Sequence, residues 1–171
     1  MSNCRNIRYP APTQDKTEWC WAAVTNYVDT ILRGEEYYSQ CEIAKKRTPK
    51  LCTGECEEYD CNRWNFLDES LDDIGRLDGP PTHRPLTPTE VLIEIEKDKP
   101  VGVRIQWRKP SKPEEINGHF VAIIGYFYAG SKLFYRVYNP SKPGSIKSVE
   151  VEEFKTNYRK LGYWTHSFRT K

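Results

Sequence analysis

The chain has 171 residues and a formal net charge of +2, with 37% hydrophobic, 13% aromatic and 29% charged residues. That length predicts one domain, residues 1–171, around a single core, and the near-even charge balance gives no pull towards nucleic acid. No apolar run approaches the roughly 20 residues of a membrane span, and Met1-Ser2-Asn3-Cys4-Arg5-Asn6 has no apolar signal core, so export would need a removed leader or another route.

The first predicted helix runs from about Thr17 to Arg33, with Thr17 or Asp15 as N-cap. Its apolar residues Trp21, Val24, Val28, Ile31 and Leu32 recur at helical spacing, and Gly34 stops it. Ser39 and Glu42 form a capping-box signature for a short second helix. Cys41, Cys52, Cys56 and Cys61 then crowd into a loop-rich acidic segment. Three readings stay open there: disulfides, which for four cysteines have three pairings; a structural zinc site, against the unusual spacings Cys52-x3-Cys56 and Cys56-x4-Cys61; and free thiols.

A third helical piece is expected over Asn65–Ile74, with Phe66, Leu67, Leu71 and Ile74 on its inner face. His83 belongs to an exposed proline-rich loop. Thr87-Pro88-Thr89-Glu90 combines an N-cap, a first-turn proline and a capping-box glutamate, predicting a helix to Asp98. Strands follow at Val101–Trp107, His119–Tyr128, Leu133–Asn139, Ile146–Val151 and Leu161–Phe168; His166, on the last, reads as structural or surface. Helices first and antiparallel strands after predict an α+β fold.

Chemistry concentrates in three places. Cys20, between Trp19 and Trp21, falls in the first turn of the first helix, where free N–H groups and the macrodipole favour a thiolate. Its thiol is therefore expected well below the usual value of about 8.5. Gly118-His119 opens the buried strand Phe120-Val121-Ala122-Ile123-Ile124, and Tyr138-Asn139-Pro140 ends the next. A hairpin through Ala129-Gly130-Ser131 returns Asn139 beside His119, supplying a nucleophile, a base and an orienter in chain order.

Gln14 with Trp19-Cys20-Trp21-Ala22-Ala23, Gly118-His119 and Tyr138-Asn139-Pro140 resembles a papain-like cysteine peptidase. Ser39-Gln40-Cys41-Glu42-Ile43-Ala44 and Lys99-Pro100-Val101-Gly102-Val103-Arg104-Ile105 narrow the resemblance to the compact bacterial branch that includes plant-pathogen effector proteases and relatives of bacteriocin-leader peptidases. The resemblance implies N-terminal helices packed on a C-terminal antiparallel sheet. It implies Cys20 as nucleophile, His119 as general base and acid, Asn139 as imidazole orienter and Gln14 as oxyanion donor. Many relatives carry Asp where Asn139 stands, which weakens support for an imidazolium here.

It further implies peptide hydrolysis through a thioester acyl-enzyme, no cofactor or metal, a protein or peptide substrate, and an inhibitor or immunity protein as partner. A secreted or delivered bacterial effector or toxin fits that reading. An acyltransferase or deamidase with the same triad, or a catalytically silent binding module, are the alternatives. Tyr37, Tyr38, Trp107 and the loop Arg108 to Glu115 are expected to line the cleft.

Overall fold

Apolar runs buried on both faces build the centre of the sheet. The computed structural model describes residues 3–108 and 118–171. Strand β1 is Cys4–Asn6, β2 Val101–Trp107, β3 Gly118–Ala129, β4 Lys132–Asn139, β5 Ser145–Glu150 and β6 Gly162–Phe168. They form one antiparallel sheet in the order β5-β4-β3-β2-β6, and β1 also pairs with β3. Along β3, β2 covers Gly118–Ile123 and β1 covers Gly125–Phe127. Gly125 permits the second contact, since a Cβ there would lie 2.6 Å from the Arg5 carbonyl oxygen.

Helix α1 is Cys20–Arg33, α2 Gln40–Arg47, α3 Leu67–Asp73, α4 Pro88–Glu96 and α5 Val151–Asn157. Helix α1 is wedged between β3 and helices α2 and α3, which is why its polar residues Thr25, Asn26 and Asp29 are buried with its apolar ones. Each has a partner: Thr25 bonds Ser70, Asn26 Nδ2 donates to the Tyr38 carbonyl at 2.6 Å, and Asp29 accepts from Arg33 and Arg76. Among the described residues no helix is long and apolar enough to cross a membrane.

The α+β order, both capping boxes and the stop at Gly34 are as the sequence predicts. Four local features differ. Helix α1 begins at Cys20 with Trp19 as N-cap, because Trp19 N–H closes a turn on the Lys16 carbonyl (3.2 Å) and Thr17 Oγ1 is taken by Asn62 Nδ2 (2.8 Å). Phe66 is the half-exposed N-cap of α3, not part of its inner face, which is Leu67 and Leu71. Val151 starts α5 instead of ending a strand; this helix buries only Val151 and Phe154, too few positions to announce a period. Strand β1 has three exposed residues and no alternation to read.

The crowded cysteines are two disulfides, Cys41–Cys56 and Cys52–Cys61. The sulfurs of Cys52, Cys56 and Cys61 lie within 4.8 Å of one another, but each is already paired in a covalent bond.

Candidate active site

The stapled segment holds the start of α1. Trp19 Nε1 donates to the Cys61 carbonyl at 2.9 Å and Trp21 Nε1 to the Arg63 carbonyl at 3.0 Å. Asn62 Oδ1 accepts from the Glu18 amide at 3.0 Å. Cys20 therefore sits at the first helical position, 5% exposed, with its neighbours on both sides anchored to residues flanking one disulfide. The first-turn amides of α1 lack intrahelical acceptors, and the backbone N–H groups of Cys20 and Trp21 both favour a thiolate on the Cys20 sulfur. A third amide doing so is that of Phe120, the residue after His119. Cys20 and the mouth of β3 are in contact.

The hairpin delivers the other partners. A two-residue turn at Gly130-Ser131, with Gly130 in the left-handed region, pairs Ala129 with Lys132, and a bulge between Ile123 and Gly125 shifts the register by one so that Ala122 pairs with Tyr138. Asn139 thus arrives at the His119 end, and His119 Nε2 lies 2.9 Å from Asn139 Oδ1. The Ser141 backbone N–H donates to the same Oδ1 at 3.0 Å. A backbone N–H only donates, so that atom must be the amide oxygen, and Nε2 must carry the imidazole proton. Nδ1 is left as the basic nitrogen. Pro140 and Ser141 make the turn that Asn139 readily starts, and the same side-chain bond sets the tautomer.

Three residues complete this arrangement without having been singled out for it from the sequence or, for Trp107, beyond a cleft-lining expectation. Tyr158 OH accepts from Asn139 Nδ2 at 3.3 Å, holding the amide from its other side. Ser141 Oγ lies 3.3 Å from His119 Nε2. The Trp107 ring stacks beside His119 at 6.0 Å and beside Tyr158 at 6.3 Å, covering the pair. Only the Asn-Pro-Ser turn had a sequence signal; Tyr158 lies 19 residues from its partner with no motif between them.

Gln14 is beside the site, its backbone N–H bonded to the Pro140 carbonyl at 2.9 Å. Its side chain is committed elsewhere: Nε2 donates to the carbonyls of Lys16 (2.9 Å) and Thr17 (2.6 Å), while Oε1 is buried without a partner. Tyr37 and Tyr38 pack on each other beneath Arg33, at the opposite end of α1 from Cys20. Over 14 residues that is about 20 Å, so they do not line this cleft. Residues 109–115 of the expected cleft loop lie outside the described residues.

Electrostatics correct the expected thiolate. Burial pushes the Cys20 thiol up to about 11, against the opposing pull of the Phe120, Trp21 and Cys20 amides. Burial also pushes His119 down; the Asn139 bond opposes this and the Arg159 cation adds to it. Both shifts favour neutral thiol beside neutral imidazole, because the helix terminus supplies less than desolvation removes. For Cys20 to act as a nucleophile from this state, a base would have to take its proton during attack.

A labelling experiment follows. Alkylation of wild-type Cys20 by iodoacetamide is expected to rise about tenfold per pH unit between pH 6 and 9, tracking thiolate below its pKa. Asn139→Asp places a carboxylate against Nε2–H, favours the imidazolium and should raise labelling at pH 6 by about tenfold or more, with activity retained. Peptide mapping after a short pulse reads both. Fast, pH-independent labelling of the wild type would show a preformed ion pair instead.

No protein-family model matches the chain, and no curated protein matches it in sequence. Solved structures do match its fold. One, from work on the mite allergens Blo t 1 and Der p 1, has a TM-score of 0.60 at 12% identity, covering 100% of this chain and 71% of that one. Digestive procathepsin L 3 from the larval midgut of Tenebrio molitor has a TM-score of 0.56 at 10% identity over 99% of this chain and 70% of its own. The Carica candamarcensis cysteine protease CMS1MS2, solved with E-64, gives 0.57 at 14% identity over 100% of this chain and 99% of that one. The α+β fold is papain-like.

Proposed function

We propose that this papain-like fold carries a working cysteine peptidase, with Cys20 as nucleophile, His119 as general base and acid and Asn139 as orienter. The observation that carries the reading is the His119 Nε2–Asn139 Oδ1 bond of 2.9 Å, whose tautomer the Ser141 amide dictates and which leaves Nδ1 basic. In this mechanism His119 Nδ1 takes the thiol proton as Cys20 Sγ attacks the scissile carbonyl, forming a tetrahedral oxyanion. The imidazolium protonates the leaving amine as the C–N bond breaks, leaving a thioester. Water, deprotonated by the same nitrogen, attacks the thioester; C–S cleavage then releases the acid and restores the thiol. The Cys20 N–H at the head of α1 is one oxyanion donor.

Gln14 is the second donor in this reading, once its amide turns away from the Lys16 and Thr17 carbonyls. Its buried, unpaired Oε1 leaves the resting rotamer incompletely satisfied, which favours such a turn. Gln14→Ala is expected to lower kcat by roughly 10²-fold with KM nearly unchanged. A rise in KM alone would make Gln14 a support of the Lys16–Trp19 turn and nothing more.

Two disulfides suit an oxidising compartment, which supports an exported enzyme acting on protein or peptide substrates. Delivery as a bacterial effector or toxin, with a dedicated inhibitor or immunity protein, is the finer form of this proposal and rests on the sequence resemblance. Incubation with a proteome followed by labelling of new N-termini tests the activity. Peptidase action yields cleavage sites absent with Cys20→Ala; an identical pattern for the two proteins would end the reading.

A further inference from the structure

Phe120, whose amide touches the Cys20 sulfur, also lines a cavity of about 470 Å³ on the other face of β3 from His119. Trp64 and Phe66, ring to ring at 4.6 Å, form an aromatic wall opposite. The polar groups at this cavity are Asp68 from α3, His83 from the loop before α4, Arg104 from β2 and His166 from β6. The first three elements and β6 thus each bring one ionisable side chain to one place.

Backbone register explains why. Across β2 and β6, Arg104 pairs with His166 and Ile105 with Trp164, so Thr165 is an extra, bulged residue. Its Oγ1 accepts from Arg104 Nη1 at 3.1 Å and lies 2.9 Å from His166 Nδ1. Gln106 Oε1 accepts from Arg104 Nη2 at 2.9 Å. The guanidinium is thereby laid over the Gly118 backbone, where a Cβ would meet Nη2 at 2.9 Å. It is held by neutral oxygens, and among the described residues no carboxylate pairs with it. His83 and His166 face each other at 4.6 Å between ring centroids. The Trp64 indole N–H, on the same wall, is buried without an acceptor. Donors outnumber acceptors here, and the one carboxylate, Asp68, no more than balances Arg104.

We propose that this cavity takes a glutamate or aspartate side chain of the substrate, with Arg104 as its counter-charge and the facing imidazoles of His83 and His166 as flanking partners. The inference rests on the peptidase reading and names the substrate class. Burial and the neighbouring His83 and Arg104 hold the His166 imidazole low, with Asp68 opposing. A carboxylate brought between them reverses that balance. Selectivity for acid over amide therefore widens as pH falls, down to the point where the ligand itself protonates, near 4.

The test uses the inactive Cys20→Ala protein and fluorescent hexapeptide pairs that differ only by Glu or Gln, scanned through each position. At one position Glu should bind about tenfold tighter than Gln at pH 5.5, and only a few-fold tighter at pH 7.5. Arg104→Gln should remove the preference at both pH values. His166→Ala should remove mainly its pH dependence. In parallel, the ring C–H resonances of His166 should titrate at higher pH with the Glu peptide bound, a readout that needs no folding of an Arg104 variant. Equal or tighter binding of Gln at every position, or unmoved His166 resonances, overturns the proposal. Cleavage of the Gln peptides by wild-type protein decides the peptidase reading separately: cleavage without a Glu preference sinks only the cavity, and neither binding nor cleavage sinks both.

Discussion

Replacing Cys20 or His119 with alanine is expected to lower turnover by roughly 10⁴- to 10⁶-fold, and the double variant should be no worse than either single one. In the proposed mechanism the thiol proton leaves for Nδ1 as the C–S bond forms, so loss of either partner removes the same step. With the thiol pushed up to about 11, the sulfur has little capacity to act alone near neutrality. Neither variant should unfold the protein. Cys20→Ala deletes one atom from a site bounded by the Trp19 and Trp21 anchors, and after His119→Ala the Asn139 oxygen still accepts from Ser141 N–H. Melting curves should confirm this while peptide turnover collapses. A double variant markedly slower than the singles would mean that the two residues act in separate steps.

The second large effect concerns the disulfide next to Cys20. Cys52→Ala with Cys61→Ala opens a loop of nine-residue separation and is expected to cost about 2–3 kcal/mol. For a chain of this size each kcal/mol moves Tm by about 2–4 °C, so a fall of roughly 4–12 °C is expected. Activity should fall below the new Tm as well, because Cys61, Asn62 and Arg63 hold Trp19, Glu18 and Trp21 around Cys20. Mild reductant should leave the wild type active: Cys52, Cys56 and Cys61 are no more than 2% exposed. Chelator should change neither Tm nor activity. An unchanged Tm in the double variant would remove the staple from the account, and a fall on chelation would restore the zinc reading.

Much of the fold is legible because its signals are local. Thr87 and Glu90, like Ser39 and Glu42, satisfy helix-end amides within four residues, so the chain alone announces both helix starts. The same holds for the pairing of His119 with Asn139. A short turn decides which strand ends meet, so His119 and Asn139 are brought to one end across 20 residues; the bulge between Ile123 and Gly125, which no local signal announces, then sets the final register there.

Tertiary packing decided what local order leaves open. Four cysteines had three pairings, and only the path of residues 41–61 around α1 selected one of them. Thr17 had the chemistry of an N-cap, but Asn62 claimed its hydroxyl and the helix began at Cys20. Gln14 stood at the spacing of an oxyanion donor, yet nearby carbonyls took its amide hydrogens. The helix terminus argued for a thiolate, and burial beneath β3 outweighed it. The sequence by itself determined the order of elements apart from β1 and α5, and the identity of Cys20, His119 and Asn139 as the residues to examine, since period, caps and turns act over a few residues. Charge state, amide direction and disulfide partners depend on desolvation and on competing hydrogen bonds from distant chain, and these come into being only when the chain has closed around the site.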